Sequence, residues 1–256
     1  NTNSVIDDYI RHSITKLSSF HFVSNEVYRK RVIQMGEKPN NVILTGSPSV
    51  DIIKKINYLS KRELENSLNV NFSKKTFVVT YQPVTLNKNE SIYEINNLLT
   101  ALSEFENYNV IFTLPNHDKF SDIITQKIKS YCKKKTNFFY FSSLGHLKYL
   151  SLIKNSEVVI GNSSSGIIEA PYLNIPTVNV GKRQEGRLMG KSILSCNSNK
   201  MNIVSTIKKA INIKRNKKIF SKKLYGEGNA SKKISNFIMK LSLKDFKLGK
   251  KFNDIK

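Results

Sequence analysis

An open, doubly wound parallel α/β sheet is the fold that this sequence predicts, and three observations predict it. Short β-rich runs alternate along the chain with longer amphipathic ones. Several of the short runs are almost continuously apolar, as strands buried on both faces are. The 256 residues, 39% of them hydrophobic, suit one large α/β domain or one and a half smaller ones.

Residues 7–19 and 25–37 read as helices around a short strand at 20–23. Val27, Arg31, Val32 and Met35 give the second helix its spacing. These pieces have too few partners for a domain, so residues 1–40 are expected to be the remnant of a preceding one and its junction. Strands are then expected at 41–45, 76–81, 109–114, 137–141, 157–160 and 176–180. Ser60 with Glu63 reads as a capping box opening a short helix. Further helices at 91–106, 121–133 and 147–155 complete the βαβ rhythm. Residues 41–220 are thus expected to form the main domain. From about 221 the chain turns Lys-rich and helical, with Ile234, Phe237, Ile238 and Leu241 in period; residues 221–256 read as a closing helix or a solvated tail.

The chain carries 42 Lys and Arg against 19 Asp and Glu, a formal charge of +23. Nucleic acid or a membrane surface is one reading of that charge. The Lys residues are scattered, Trp is absent, and no basic run is interleaved with stacking aromatics, which favours a Lys-rich enzyme with neither partner. A basic surface would still gather an anionic substrate. No run reaches the ~18 apolar residues of a membrane helix. Two cysteines, Cys132 and Cys196, make neither a disulfide framework nor a zinc site. No basic, apolar leader is visible at the N-terminus, and a reduced, cytoplasmic setting is expected.

Ligands of open parallel sheets sit at the carboxyl ends of the strands. After the strand at 157–160 comes Gly161-Asn162-Ser163-Ser164-Ser165-Gly166, opening onto Ile167-Ile168-Glu169-Ala170. Small residues such as Gly166 let a ligand approach the backbone. Hydroxyls and free N–H groups at a helix start suit an anion. Glu169, one turn in, could accept both hydroxyls of a ribose diol. A Ser-rich N-cap with ordinary first-turn charge is the plainer reading. After the next strand lies Gly181-Lys182-Arg183-Gln184-Glu185-Gly186-Arg187, where Arg183 could grip a diphosphate rather than serve as a solvated basic loop. The loops Gln82-Pro83-Val84-Thr85 and Pro115-Asn116-His117-Asp118 also follow buried strands and suit ligand contact.

The run Gly161-Asn162-Ser163-Ser164-Ser165-Gly166-Ile167-Ile168-Glu169-Ala170-Pro171 and the loop Arg183-Gln184-x-Gly186-Arg187 resemble the hydrolysing UDP-N-acetylglucosamine 2-epimerases. So do Asp7-Asp8-x-Ile10-Arg11-His12-x-Ile14-Thr15-Lys16-Leu17, Pro115-Asn116-x-Asp118, Ser143-Leu144-Gly145 and Tyr225-Gly226-x-Gly228-Asn229-Ala230. The likeness runs from the first residues to about Ile234, and is nearest to the bacterial branch feeding sialic-acid-type sugars. It implies two Rossmann-like domains in a glycosyltransferase-B-like arrangement, of which this chain keeps the C-terminal, nucleotide-binding half. A preceding stretch of about a hundred residues is expected to be missing. The resemblance also implies a nucleotide-sugar substrate, no cofactor, no metal, and a homodimer of the full-length protein. Ser163, Ser164 and Glu169 fall on nucleotide contacts and Arg183 near the diphosphate, with Asn116 and Gly166 as further nucleotide-binding candidates.

In the implied reaction the C2 proton and UDP leave, giving an unsaturated sugar, and water adds back with C2 inverted. That yields N-acetylmannosamine plus UDP and needs a base, an acid and charge stabilisation of UDP. Gln82 and His12 are the catalytic candidates within this chain. The family commonly has His where Gln82 stands, and Gln donates hydrogen bonds but carries no proton at neutral pH. His21 reads as structural, His117 as a loop residue without a direct catalytic role, and His146 as a helix cap. A glycosyltransferase-B-type transferase and an inactive nucleotide-binding fragment are the alternative functions. The segment around Arg11 and the Arg183 loop favour the epimerase.

Overall fold

The computed structural model describes residues 5–83, 88–116, 119–214, 219–220, 223–242 and 250–254. Val84, Thr85, His117 and Asp118, singled out above, lie outside these residues. The chain divides into two units, one spanning Ile56–Ser221 and the other Val5–Lys55 with Lys222–Lys256.

The discontinuous unit opens with α1 (Val5–Leu17), β1 (His21–Val23), α2 (Glu26–Gln34), β2 (Val42–Leu44) and α3 (Pro48–Lys55). Asn25 starts α2 by accepting the Tyr28 N–H on its side chain. β1 and β2 pair in parallel with His21 opposite Val42. The strand expected at 41–45 therefore exists, but in a two-stranded sheet of its own. The reason is local: α2 already supplies the crossover that a parallel partner needs, so pairing with β1 closes the shorter loop.

Glu37, 1% exposed, anchors this unit. Its carboxylate meets His21 Nε2 at 2.9 Å and Lys16 Nζ at 3.0 Å, and pairs with Lys250. Lys250 also donates to the carbonyls of Thr15, Lys16 and Ser18, covering the last turn of α1. Burial works to raise the Glu37 carboxyl, but its three partners outweigh burial and hold it below its ordinary value. Burial lowers the pKa of His21, against the opposing pull of Glu37.

The continuous unit holds α4 (Lys61–Leu68), β3 (Lys75–Thr80), α5 (Lys88–Leu102), β4 (Tyr108–Thr113), α6 (Ser121–Cys132), β5 (Phe138–Phe141), α7 (Gly145–Lys154), β6 (Val158–Gly161), α8 (Ser165–Ile168), β7 (Thr177–Val180), β8 (Ile193–Cys196) and α9 (Lys200–Ile213). The six strands lie in the order β5-β4-β3-β6-β7-β8, and every neighbouring pair is parallel. This is the doubly wound sheet the sequence predicts. Alternate residues feed two apolar layers, as a period of two requires. Phe77, Val79 and Tyr81 pack with Leu98 and Leu102 of α5, Ile124 of α6 and Ile207 of α9. Val78, Ile111 and Val159 pack with Leu64 and Leu68 of α4 and with Leu152 and Ile153 of α7. Ser60 and Glu63 form the expected capping box. The expectations above omit β8 and α9.

The last described helix, α10 (Ala230–Ile238), closes the discontinuous unit. Tyr225 O accepts the Ser47 N–H at 2.7 Å. Gly226 (φ 102°) lies so near Gly46 that an added Cβ would stand 2.6 Å from its Cα. The buried Asp51 carboxylate accepts the N–H groups of Ala230 and Ser231 at 3.0 and 2.7 Å, satisfying the start of α10. Burial would raise the Asp51 carboxyl, yet these hydrogen bonds bring it below its ordinary value. Phe237 stands edge-on to Phe20 and Phe22. Residues 230–238 are thus a closing helix rather than a solvated tail.

Candidate functional site

The strand order reverses between β3 and β6, so the chain diverges there and leaves a crevice at the carboxyl ends. A cavity of about 460 Å³ lies at that point, lined by the loops after β3, β4, β5 and β6. Gln82, Asn116, Ser163 and Glu169 all line it, so four expected residues from separate stretches meet here. Gly161 allows the strands to close behind it. Its φ is 128°, and a Cβ there would stand 2.1 Å from Thr80 O.

Asn162, fully buried, ties the loops together. Its Oδ1 accepts the Gln82 N–H at 2.6 Å and its Nδ2 donates to Gln82 O at 2.8 Å. Its own carbonyl accepts Arg183 Nη1 at 3.0 Å and Gln184 Nε2 at 2.7 Å. One side chain and one carbonyl thus fix the ends of β3, β6 and β7 together. Gln82 adds the end of β4, because its Oε1 accepts the Asn116 N–H at 3.0 Å. Arg183 is placed by Asn162 beside the cavity rather than in its lining.

Hydroxyls form part of the wall. Thr80 and Thr113, opposite each other in the β3–β4 register, share a hydrogen bond. Tyr149 Oη bonds Ser165 Oγ at 2.5 Å, and Ser165 Oγ in turn donates to Ser163 Oγ at 3.1 Å. Ser163 Oγ therefore accepts within its loop and keeps its own proton to donate to a ligand.

Glu169 is half-buried, and burial raises its carboxyl above the ordinary carboxylate value. His146, which lines the same cavity, counters that rise. The expectation that His146 caps α7 is corrected: α7 begins without a side-chain cap. Gly145, with φ 60°, makes the turn that brings His146 to the wall. The phenols of Tyr58 and Tyr149 are both raised, mainly by burial and in part by the Glu169 charge.

Gly166 and Ser164 do not line the cavity. Gly166 is buried against β7, where an added Cβ would stand 2.6 Å from Thr177 Cγ2, so its smallness serves packing. Ser164 is the residue before α8 and makes no side-chain cap. That helix is one turn long and gives way to a 3₁₀ turn at Ala170–Leu173, because Pro171 has no N–H to continue the helix. His12 is exposed on α1 and belongs to the other unit.

A second cavity, about 700 Å³, lies past the Arg183 loop at the ends of β7 and β8, with Lys182, Arg187 and Lys209 in its wall. Although larger, it gathers none of the expected ligand contacts. Burial pushes the Cys132 and Cys196 thiols up to about 12 and about 11, so neither is a nucleophile at neutral pH. Among the described residues no group of three His, Cys, Asp or Glu is placed to hold a metal ion, and no helix is long and apolar enough to cross a membrane.

The model of the UDP-N-acetylglucosamine 2-epimerase family matches residues 1–239. The Campylobacter jejuni GDP/UDP-N,N'-diacetylbacillosamine 2-epimerase (hydrolyzing) is 43% identical over 199 residues, covering 77% of this chain and 52% of that protein. The Escherichia coli polysialic acid biosynthesis protein P7 is 42% identical over 216 residues, covering 84% and 54%. The chain spans about half the length of these curated relatives. Among solved structures, the S. aureus MnaA–UDP co-structure superposes with a TM-score of 0.69 at 19% identity, covering 88% of this chain and 60% of that one. The Neisseria meningitidis UDP-GlcNAc 2-epimerase bound to UDP-GlcNAc gives 0.64 at 18% identity, covering 89% and 62%. At these identities the two structures establish a shared fold.

Proposed function

The chain belongs to the UDP-N-acetylglucosamine 2-epimerase family, and we propose that it carries the nucleotide-binding half of a hydrolysing, cytoplasmic 2-epimerase. The substrate is UDP-N-acetylglucosamine or a diacetamido relative, and the product feeds sialic-acid-type sugars. We assign nucleotide binding to the unit Ile56–Ser221. The other unit is read as the remnant of the first domain, with His12 as its candidate active-site residue, and the full-length protein as a homodimer in a glycosyltransferase-B-like arrangement.

The observation that carries this reading is the meeting of Gln82, Asn116, Ser163 and Glu169 in one cavity at the reversal of strand order. Glu169 accepts the ribose diol. The loop after β5, with Gly145 and His146, takes the base. Ser163 donates to phosphate, and Arg183 stabilises the diphosphate as it departs. Gln82 is a fixed donor: its Oε1 is taken by the Asn116 N–H, so its NH₂ is the group left for the substrate. It holds the leaving group or sugar and moves no proton. This half therefore stabilises leaving UDP, while proton removal at C2 falls to groups outside the cavity described.

Titration of the chain with UDP by calorimetry tests the proposal. Saturable binding with a dissociation constant of about 0.1–1 mM is expected, lost in Glu169→Ala and in Arg183→Ala. A folded chain that binds no UDP, or variants that bind as well as the parent, would overturn it.

A further inference from the structure

We propose that Glu94 is a positioning residue: its carboxylate pins the chain at the ends of β3 and β7, and so holds Gln82 and Arg183 in place. The inference rests on the nucleotide-site reading for its consequence, but not for its geometry. Glu94 stands in the middle of α5, 3% exposed. Tyr81 Oη donates to its Oε2 at 2.6 Å. Gly181 (φ 75°) completes the clasp, because a Cβ there would stand 2.7 Å from Oε1 and 3.1 Å from Oε2. Tyr81 immediately precedes Gln82, and Gly181 lies two residues before Arg183. The charge of Arg183 also reaches the Tyr81 phenol and lowers its pKa against the larger effect of burial.

The fold alone gives little reason for a carboxylate here. Among the described residues Glu94 has no ion-pair partner. Burial raises its carboxyl above the ordinary value, with the Tyr81 and Ser198 hydroxyls opposing. A carboxyl raised on folding lowers stability at neutral pH, so a neutral side chain of this shape would suit the core better. What the carboxylate offers is acceptance alone: either oxygen can take the Tyr81 hydroxyl, whereas an amide accepts with one oxygen and turns an N–H donor toward Gly181 with the other.

The test is Glu94→Gln in the full chain, with Tyr81→Phe as a second variant that keeps the ring. The expected result is UDP binding weakened about tenfold, with a melting temperature unchanged or raised. Without ligand, amide hydrogen exchange should quicken at Tyr81–Gln82 and at 181–184, while β4 and β5 keep their protection. Unchanged exchange in those segments would overturn the proposal, as would a uniform rise across the sheet with a lower melting temperature. A parent chain that binds no UDP would sink the nucleotide reading, and the exchange result would still decide whether Glu94 positions the loops.

Discussion

Asn162 sees no solvent, yet the Gln82 backbone depends on its side chain and Arg183 on its carbonyl. Asn162→Ala would strand the buried N–H and C=O of Gln82. A loss of about 2–3 kcal/mol is expected in urea unfolding, together with loss of UDP binding. Glu169 gives a second prediction. With its carboxyl raised above 4.5 by burial, it loses its charge earlier than an exposed Glu as the solution is acidified. UDP affinity should therefore fall as pH drops through that raised value. The nucleotide phosphate titrates too, near about pH 6, so the comparison is with Glu169→Gln, whose profile reports the phosphate alone. Identical profiles would remove Glu169 from the site. Glu169, Ser163 and Gln82 were legible in the sequence because each follows a strand. Asn162, Thr80, Thr113 and Tyr149 were not, because their roles depend on register between strands far apart in the chain: Thr80 matters because it stands opposite Thr113.

Among the elements, α10 depends on a single distant carboxylate. Asp51→Ala should cost about 1.5–3 kcal/mol, the scale of hydrogen bonds to a charged acceptor, and should open α10 to protease before the continuous unit unfolds. Equal resistance in the variant would show that the Phe237 contacts suffice. The expectations located most strands, since Val-, Ile- and Phe-rich runs buried on both faces leave little alternative. β2 misled because a three-residue apolar run does not name its partner. β8 escaped because only one of its four residues, Ile193, is buried at the sheet edge. α9 did carry a signal in Ile203, Ile207 and Ala210, spaced by four and three residues.

Across the whole molecule the two units should answer acid in opposite ways. In the discontinuous unit Glu37 and Asp51 are held below their ordinary 4.5 and 3.8, so the stability they give is present above those values and lost as pH falls through the lower folded ones. His21 is held below 6.5, and its contribution begins to fade as pH drops past that value. In the continuous unit Glu94 and Glu169 are raised above 4.5; they weaken the fold at neutral pH and relent as acid protonates them. Exchange measured by mass spectrometry between pH 7 and about pH 3 should show β1 loosening first and α10 after it, while β3 and β6 hold, after correction for intrinsic rates. Parallel loosening of both units would contradict these assignments.

Within this stretch a ribosome delivers Val5–Lys55 before Ile56–Ser221, and Lys222–Lys256 after it. All six strands of the larger sheet have left the exit tunnel before α10 does, and domains fold as they emerge. Through that interval Asp51 has no helix start to hold, and Phe20 and Phe22 lack the ring of Phe237. Pausing translation just before Lys222 would prolong the need of β1 and β2 for a chaperone, whereas a pause placed after α10 has emerged would not.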